Sequence, residues 1–126
     1  MLGGSAAALV AGTAASPAPA EPAPSPDAEL VRLCHDAIAC EVRADVLMLA
    51  VNDVLLIDPR WSAAFAEARL LTNRYHRAVK QTELISARTA AGLRAKADLV
   101  RVHMHPDQDD FGIVHSLVRD VLAAGA

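Results

Sequence analysis

The chain has 126 residues and a net charge of −3 at pH 7, and 53% of it is apolar, much of that alanine. This length holds one domain, and a core with only Trp61, Phe65, Tyr75 and Phe111 as aromatics must rely on Leu, Val, Ile and closely approaching helices. The acidic balance argues against a nucleic-acid binder that works by overall positive charge, and two cysteines without a CxxC pair argue against a cysteine-based structural zinc.

Charge is unevenly spread. Acids dominate from Glu21 to Asp58, with only Arg32 and Arg43 against them, whereas bases dominate from Arg60 to Arg101. This reads either as an acidic helix packed beside basic ones or as a basic surface for an acidic partner.

Residues 1–25, from "MLGGSAAALVAGTAA" to the prolines before Ser25, form a tail of Ala, Gly and Pro with few side chains able to offset ordering entropy. The segment reads as a disordered tail or as a truncated signal peptide whose basic start is absent. The expected compartment is periplasmic or exported if Met1 lies within a longer signal, and cytoplasmic otherwise. The stretch is too short and too weakly apolar to span a bilayer.

The helical domain, residues 26–126, follows. The first helix is expected over 26–57, with Ser25 as cap and Pro26 at the first helical position. One seam position takes Leu30, Ala37, Ala44 and Val51, and the other takes Leu33, Cys40, Leu47 and Val54. Cys34 and Cys40 are six residues apart, too far along a helix for a disulfide, and read as small core residues.

Asp58-Pro59 is a stop and a start: Asp58 caps a second helix, 59–86, with Pro59 in its first turn. Its seam is Trp61, Ala68, Tyr75 and Thr82 alternating with Ala64, Leu71, Ala78 and Ile85, widened by Phe65 and Val79. The short connection makes the two helices an antiparallel hairpin.

A third helix, 89–104, is capped by Thr89 and buries Leu93, Ala97, Val100 and Met104. A fourth, 110–124, is capped by Asp109 or Asp110, ends at Gly125, and turns Ile113, Val114, Leu117, Val118, Val121 and Leu122 inward. The fold class is all-α: a long antiparallel helical hairpin closed by two shorter helices.

The stretch "TAAGLRAKADLV", with Thr89, Gly92, Leu93, Lys96 and Ala97, resembles a helix found in a group of small, uncharacterised all-helical bacterial proteins. The Asp58-Pro59 opening with Trp61, the closing "SLVRDVL" of residues 116–122 and the "PDAEL" of residues 26–30 fit the same pattern. Many of that group carry a twin-arginine-type export signal, and the arginine pair is absent here. The resemblance implies a fold and an address, and no assigned activity.

Residues 102–115, "VHMHPDQDDFGIVH", gather the candidate chemistry. His103, His105, Asp107 and His115 are the candidate metal ligands, since imidazole and carboxylate suit zinc, copper or nickel. The alternative is a polar connection: Pro106 ends the helix near His103 or Met104, His103 complements the negative helix end, and Asp107, Asp109 and Asp110 are turn and cap residues. An EF-hand fails, because Phe111 and Val118 fall where the fifth and twelfth ligands belong. No phosphate loop, GxSxG, HExxH or nucleophile–base pair occurs, so no catalytic residue, cofactor or enzymatic activity is expected.

The expected function is a non-enzymatic helical module that binds a protein partner or itself. Metal binding through residues 103–115 is one alternative. The other is an accessory role on nucleic acid through Arg69, Arg74, Arg77, Lys80, Arg88, Arg94, Lys96 and Arg101, against which the overall acidity stands.

Overall fold

A computed structural model of the chain describes residue 23, residues 25–104 and residues 110–125. The readings placed on residues 1–22, on His105, Pro106 and Asp107, and on Asp109 lie outside the described residues. Four helices make up the domain: α1 (Ala28–Ala50), α2 (Pro59–Leu84), α3 (Ala90–His103) and α4 (Gly112–Ala124). No strand occurs among the described residues.

α1 and α2 form the antiparallel hairpin, with Arg43 facing Glu67 across it at 3.9 Å. The expected seam is buried at Leu30, Ala37, Cys40, Ala44 and Val51 on α1 and its end, and at Ala64, Ala68, Tyr75, Ala78 and Thr82 on α2. Asp58 accepts from Arg60 N at 2.9 Å, with Pro59 in the first turn, and Thr89 Oγ1 accepts from Gly92 N at 3.0 Å. Both caps stand where the sequence puts them.

α1 differs at both ends. It stops at Ala50 rather than at residue 57, and residues 51–57 run as turns around a bend at Val54. Leu55, Leu56 and Ile57 are exposed there, so no covering layer supports a further helical turn. At the start, Asp27 is the N-cap but makes no cap bond; Ser25 Oγ accepts from Asp27 N at 3.3 Å. The Asp27 side chain reaches across the fold, and its Oδ2 accepts from Arg88 N at 2.8 Å, Thr89 N at 2.7 Å and Thr89 Oγ1 at 2.7 Å. This carboxylate fastens the start of α1 to the start of α3.

α3 therefore runs parallel to α1. Cys34 senses the Lys96 charge, and Ile38 shares a groove with Asp98, Arg101 and Val102. α4 lies over the end of α2 and against α3, with Asp110 on Lys80 at 2.8 Å and Ser116 Oγ donating to Glu83 O at 2.9 Å. The shorter helices cover one face of the proximal half of the hairpin.

The buried stripe of α3 is shifted by one position from the sequence reading. Gly92, Ala95, Lys96, Leu99 and His103 are buried; Leu93, Ala97 and Val100 are half-buried and Met104 is exposed. On α4 the inward residues are Ile113, Ser116 and Asp120, with Leu117 and Val114 half-buried and Val118, Val121 and Leu122 exposed. Both departures have one cause: polar side chains are bonded to each other inside, which turns the neighbouring apolar residues outward. Of the expected core, Leu33, Leu47, Val54, Trp61 and Leu71 are half-buried, and Phe65 is exposed.

Gly92 makes the α1–α3 approach possible, because a Cβ there would overlap the Asp27 carboxylate. Glycine to alanine inside a helix normally stabilises by about 1 kcal/mol. Gly92→Ala is expected to reverse that sign and cost about 1–3 kcal/mol in urea denaturation, because the displaced group is the Asp27 anchor rather than a free side chain.

Candidate functional site

The most concentrated polar chemistry lies inside the fold. Lys96 and Asp120, with side chains 0% and 2% exposed, pair at 2.5 Å. Lys96 Nζ also donates to Ser116 Oγ at 2.7 Å, and Ala87 N donates to Asp120 Oδ2 at 2.9 Å. Arg119 closes the rim, donating to Ser116 Oγ at 3.0 Å and lying 3.5 Å from Asp120 Oδ1. Burial pushes the Asp120 carboxyl up, and the Ala87 N–H, Lys96 and Arg119 outweigh it, holding the group below the usual carboxylate range. At Asp27 burial acts in the same direction and is outweighed by the Thr89 hydroxyl and the Arg88 and Thr89 amides. Lys96, Ser116 and Asp120 are enclosed and bonded to one another, which suits them to holding α3, α4 and the α2–α3 connection together.

Of the histidine–aspartate stretch, His103, Asp110 and His115 fall among the described residues, and each has its own surroundings. His103 is buried at the end of α3, where its Nδ1 and Tyr75 Oη share a hydrogen bond at 2.6 Å. Burial and the nearby Glu41 charge push the Tyr75 hydroxyl well above its ordinary pKa. Asp110 takes Lys80 and the Gly112 amide, and His115 is exposed on α4. No group of three or more His, Cys, Asp or Glu poised for a metal occurs among the described residues. Cys34 and Cys40 are buried free thiols, and burial pushes Cys34 up to about 11, away from thiolate reactivity.

The basic residues of the second and third helices do not form one surface. Lys96 is enclosed, Lys80 pairs with Glu83 and Asp110, and Arg94 and Arg101 both lean on Asp98. Arg74 and Arg77 line a groove of about 290 Å³ on the back of the hairpin, where Arg32 and Asp36 face them.

The remaining feature is the distal half of the hairpin. The contiguous core ends at Cys40 on α1 and Tyr75 on α2, and only Ala44, Val51, Ala64 and Ala68 are buried beyond it. Trp61, Phe65, Ala68, Thr72, Tyr75 and Val79 follow one helical stripe. His103 bonds Tyr75 at its covered end; at its open end Trp61 stacks on Phe65 with ring centroids 5.0 Å apart. Asp45, Met48, Leu49, Val51, Asn52 and Trp61 line a groove of about 440 Å³ there. Leu55, Leu56 and Ile57 extend the apolar surface around the tip, and Leu49 and Val42 are exposed along α1. Sequence reading put Trp61 and Phe65 in a closed seam; the stripe is there, and its cover is missing among the described residues.

Fold and site thus define a small all-α domain with a polar-locked proximal half and an open apolar distal half. No family model, no curated protein and no solved structure matches the chain. No helix of the described residues is long and apolar enough to cross a membrane.

Two measurements test the polar lock. Lys96→Ala, which strands a buried carboxylate, is expected to cost about 3–5 kcal/mol, whereas Lys96→Met with Asp120→Leu is expected to recover most of that loss in thermal denaturation. Because Asp27 and Asp120 are held below their ordinary pKa, their contribution is full above about pH 4 and is lost as pH falls through their folded values. Stability is therefore expected to be level from neutral pH down to about 5 and to drop below about 4, and Asp27→Asn should flatten that drop.

Proposed function

We propose that the protein is a non-enzymatic helical interaction module that docks a protein partner on the distal half of its hairpin. The observation carrying this reading is the uncovered stripe around Trp61, Phe65 and Leu49, the last 72% exposed. An apolar groove between two helices, walled by a stacked aromatic pair, suits the apolar face of another helix. Trp is favoured at such anchors because it supplies a large contact area with few rotatable bonds. Asp45 and Asn52 at the groove edge supply the polar rim that an interface core requires.

The proximal lock supports the same division of labour. It uses α3 and α4 to hold one half rigid, so the other half presents its groove from a fixed base. A photo-crosslinking side chain at Leu49 or Ile57 is expected to give adducts of discrete mass in cells, and the same group at Arg94 is expected to give none. Leu49→Asp should lower adduct yield from Ile57 at least tenfold while changing unfolding stability by less than about 0.5 kcal/mol. Equal yields from all three positions, or no adducts from any, would remove the reading.

A further inference from the structure

Resting on the reading of the distal half as a docking surface, we propose that its occupant is a second copy of this chain. The two distal halves pack antiparallel, so that each hairpin tip abuts the end of the other chain's α3.

The first argument is area. Val42, Leu49, Leu55, Leu56, Ile57 and Phe65 are between 45% and 89% exposed. Backbone included, they expose roughly 700 Å² per chain, close to the share of about 800 Å² that each partner brings to a stable interface. A single docked helix would fill the groove at Met48, Leu49 and Trp61 and leave Leu55, Leu56 and Ile57 in water. A second hairpin lying the other way covers groove and tip together.

The second argument is shape. α3 ends at His103, level with Tyr75, so the covered and open halves of the hairpin meet at a step. A parallel copy would collide with α3 and α4, which already occupy that layer. An antiparallel copy runs its tip up to the step, and the two-fold relation fills both open faces at once, closing the assembly as a dimer. The result is a four-helix arrangement of two hairpins with the packing such seams favour.

The third argument is charge. Asp45 and Asp53 are exposed near the tip and make no ion pair among the described residues. At the step stands Arg101, 83% exposed and only loosely held by Asp98 at 3.7 Å. Asp98 and Glu41 also lie at the step, so the antiparallel placement brings one charge pair together, Asp53 of each copy toward Arg101 of the other, and does so twice. Such rim charges set register more than affinity.

Sedimentation velocity on the full chain from about 1 to about 300 μM is expected to show a monomer–dimer equilibrium. Leu49→Asp should weaken it at least tenfold, with helicity unchanged by circular dichroism. Leu84→Asp, at a residue 86% exposed outside this face, should leave it as it was. Asp53→Lys and Arg101→Glu should each weaken the dimer several-fold, and the double variant should restore it. Monomer mass across the whole range overturns the proposal, as does a dimer that Leu49→Asp leaves intact. A double variant no better than the single ones overturns the antiparallel placement. A monomer that still crosslinks from Leu49 to a different protein removes the second copy and keeps the docking surface; a monomer without adducts removes both.

Discussion

The proximal half of this fold depends on one enclosed ammonium. Lys96 is fully buried, and such a charge is tolerable only with a carboxylate and further acceptors in contact. Asp120 and Ser116 supply these from α4. Asp120 also takes the Ala87 amide, and Ser116 donates to the Glu83 carbonyl at the end of α2. One cation thereby determines how α3 and α4 sit on each other and where both sit on the hairpin.

The same logic accounts for three short stretches singled out in the sequence. In "TAAGLRAKA", Thr89 caps α3 and binds Asp27, Gly92 makes room for that carboxylate, and Lys96 enters the core one helical turn later. In "SLVRDVL", Ser116, Arg119 and Asp120 are the groups that receive Lys96 or close over it. In "PDAEL", Asp27 is the anchor and Leu30 the first buried apolar side chain. The spacing of three and four residues puts each set on one face of its helix. These patterns describe how the helices are fastened to one another.

Where the sequence was informative, the signal was local. Asp58-Pro59 and Thr89 gave helix starts because capping is decided within four residues, and the heptads of α1 and α2 gave a hairpin because their apolar period is helical. The shorter helices were misfaced for the opposite reason. Lys96 and Asp120 are 24 positions apart; Lys96 was counted with the basic face and Asp120 was given no role, so the apolar residues beside them were assigned inward. The lysine's pairing with a Ser-x-x-x-Asp one helix later was the available clue, and only the fold gives it meaning. His103 was similarly read as a helix-end charge; its partner Tyr75 is 28 positions away. Trp61 and Phe65 lie on the stripe the period indicates, but periodicity reports which face is apolar and says nothing about whether anything covers it.

The two halves of the hairpin consequently differ in what holds them. Proximally, a bonded ion pair, a carboxylate anchor and the Leu30–Leu99–Ile113 cluster act together. Distally, the seam is mostly alanine, which brings helices close but removes little apolar area from water. A segment held this lightly opens at lower free energy than the rest of the domain. Anything that binds its closed form stabilises it by mass action, in proportion to the logarithm of concentration over affinity. Among the described residues, the apolar stripe is thus fastened firmly where α3 and α4 cover it and lightly beyond Cys40 and Tyr75, and under the proposed pairing the same side chains that leave the distal half light would be the ones a second copy covers.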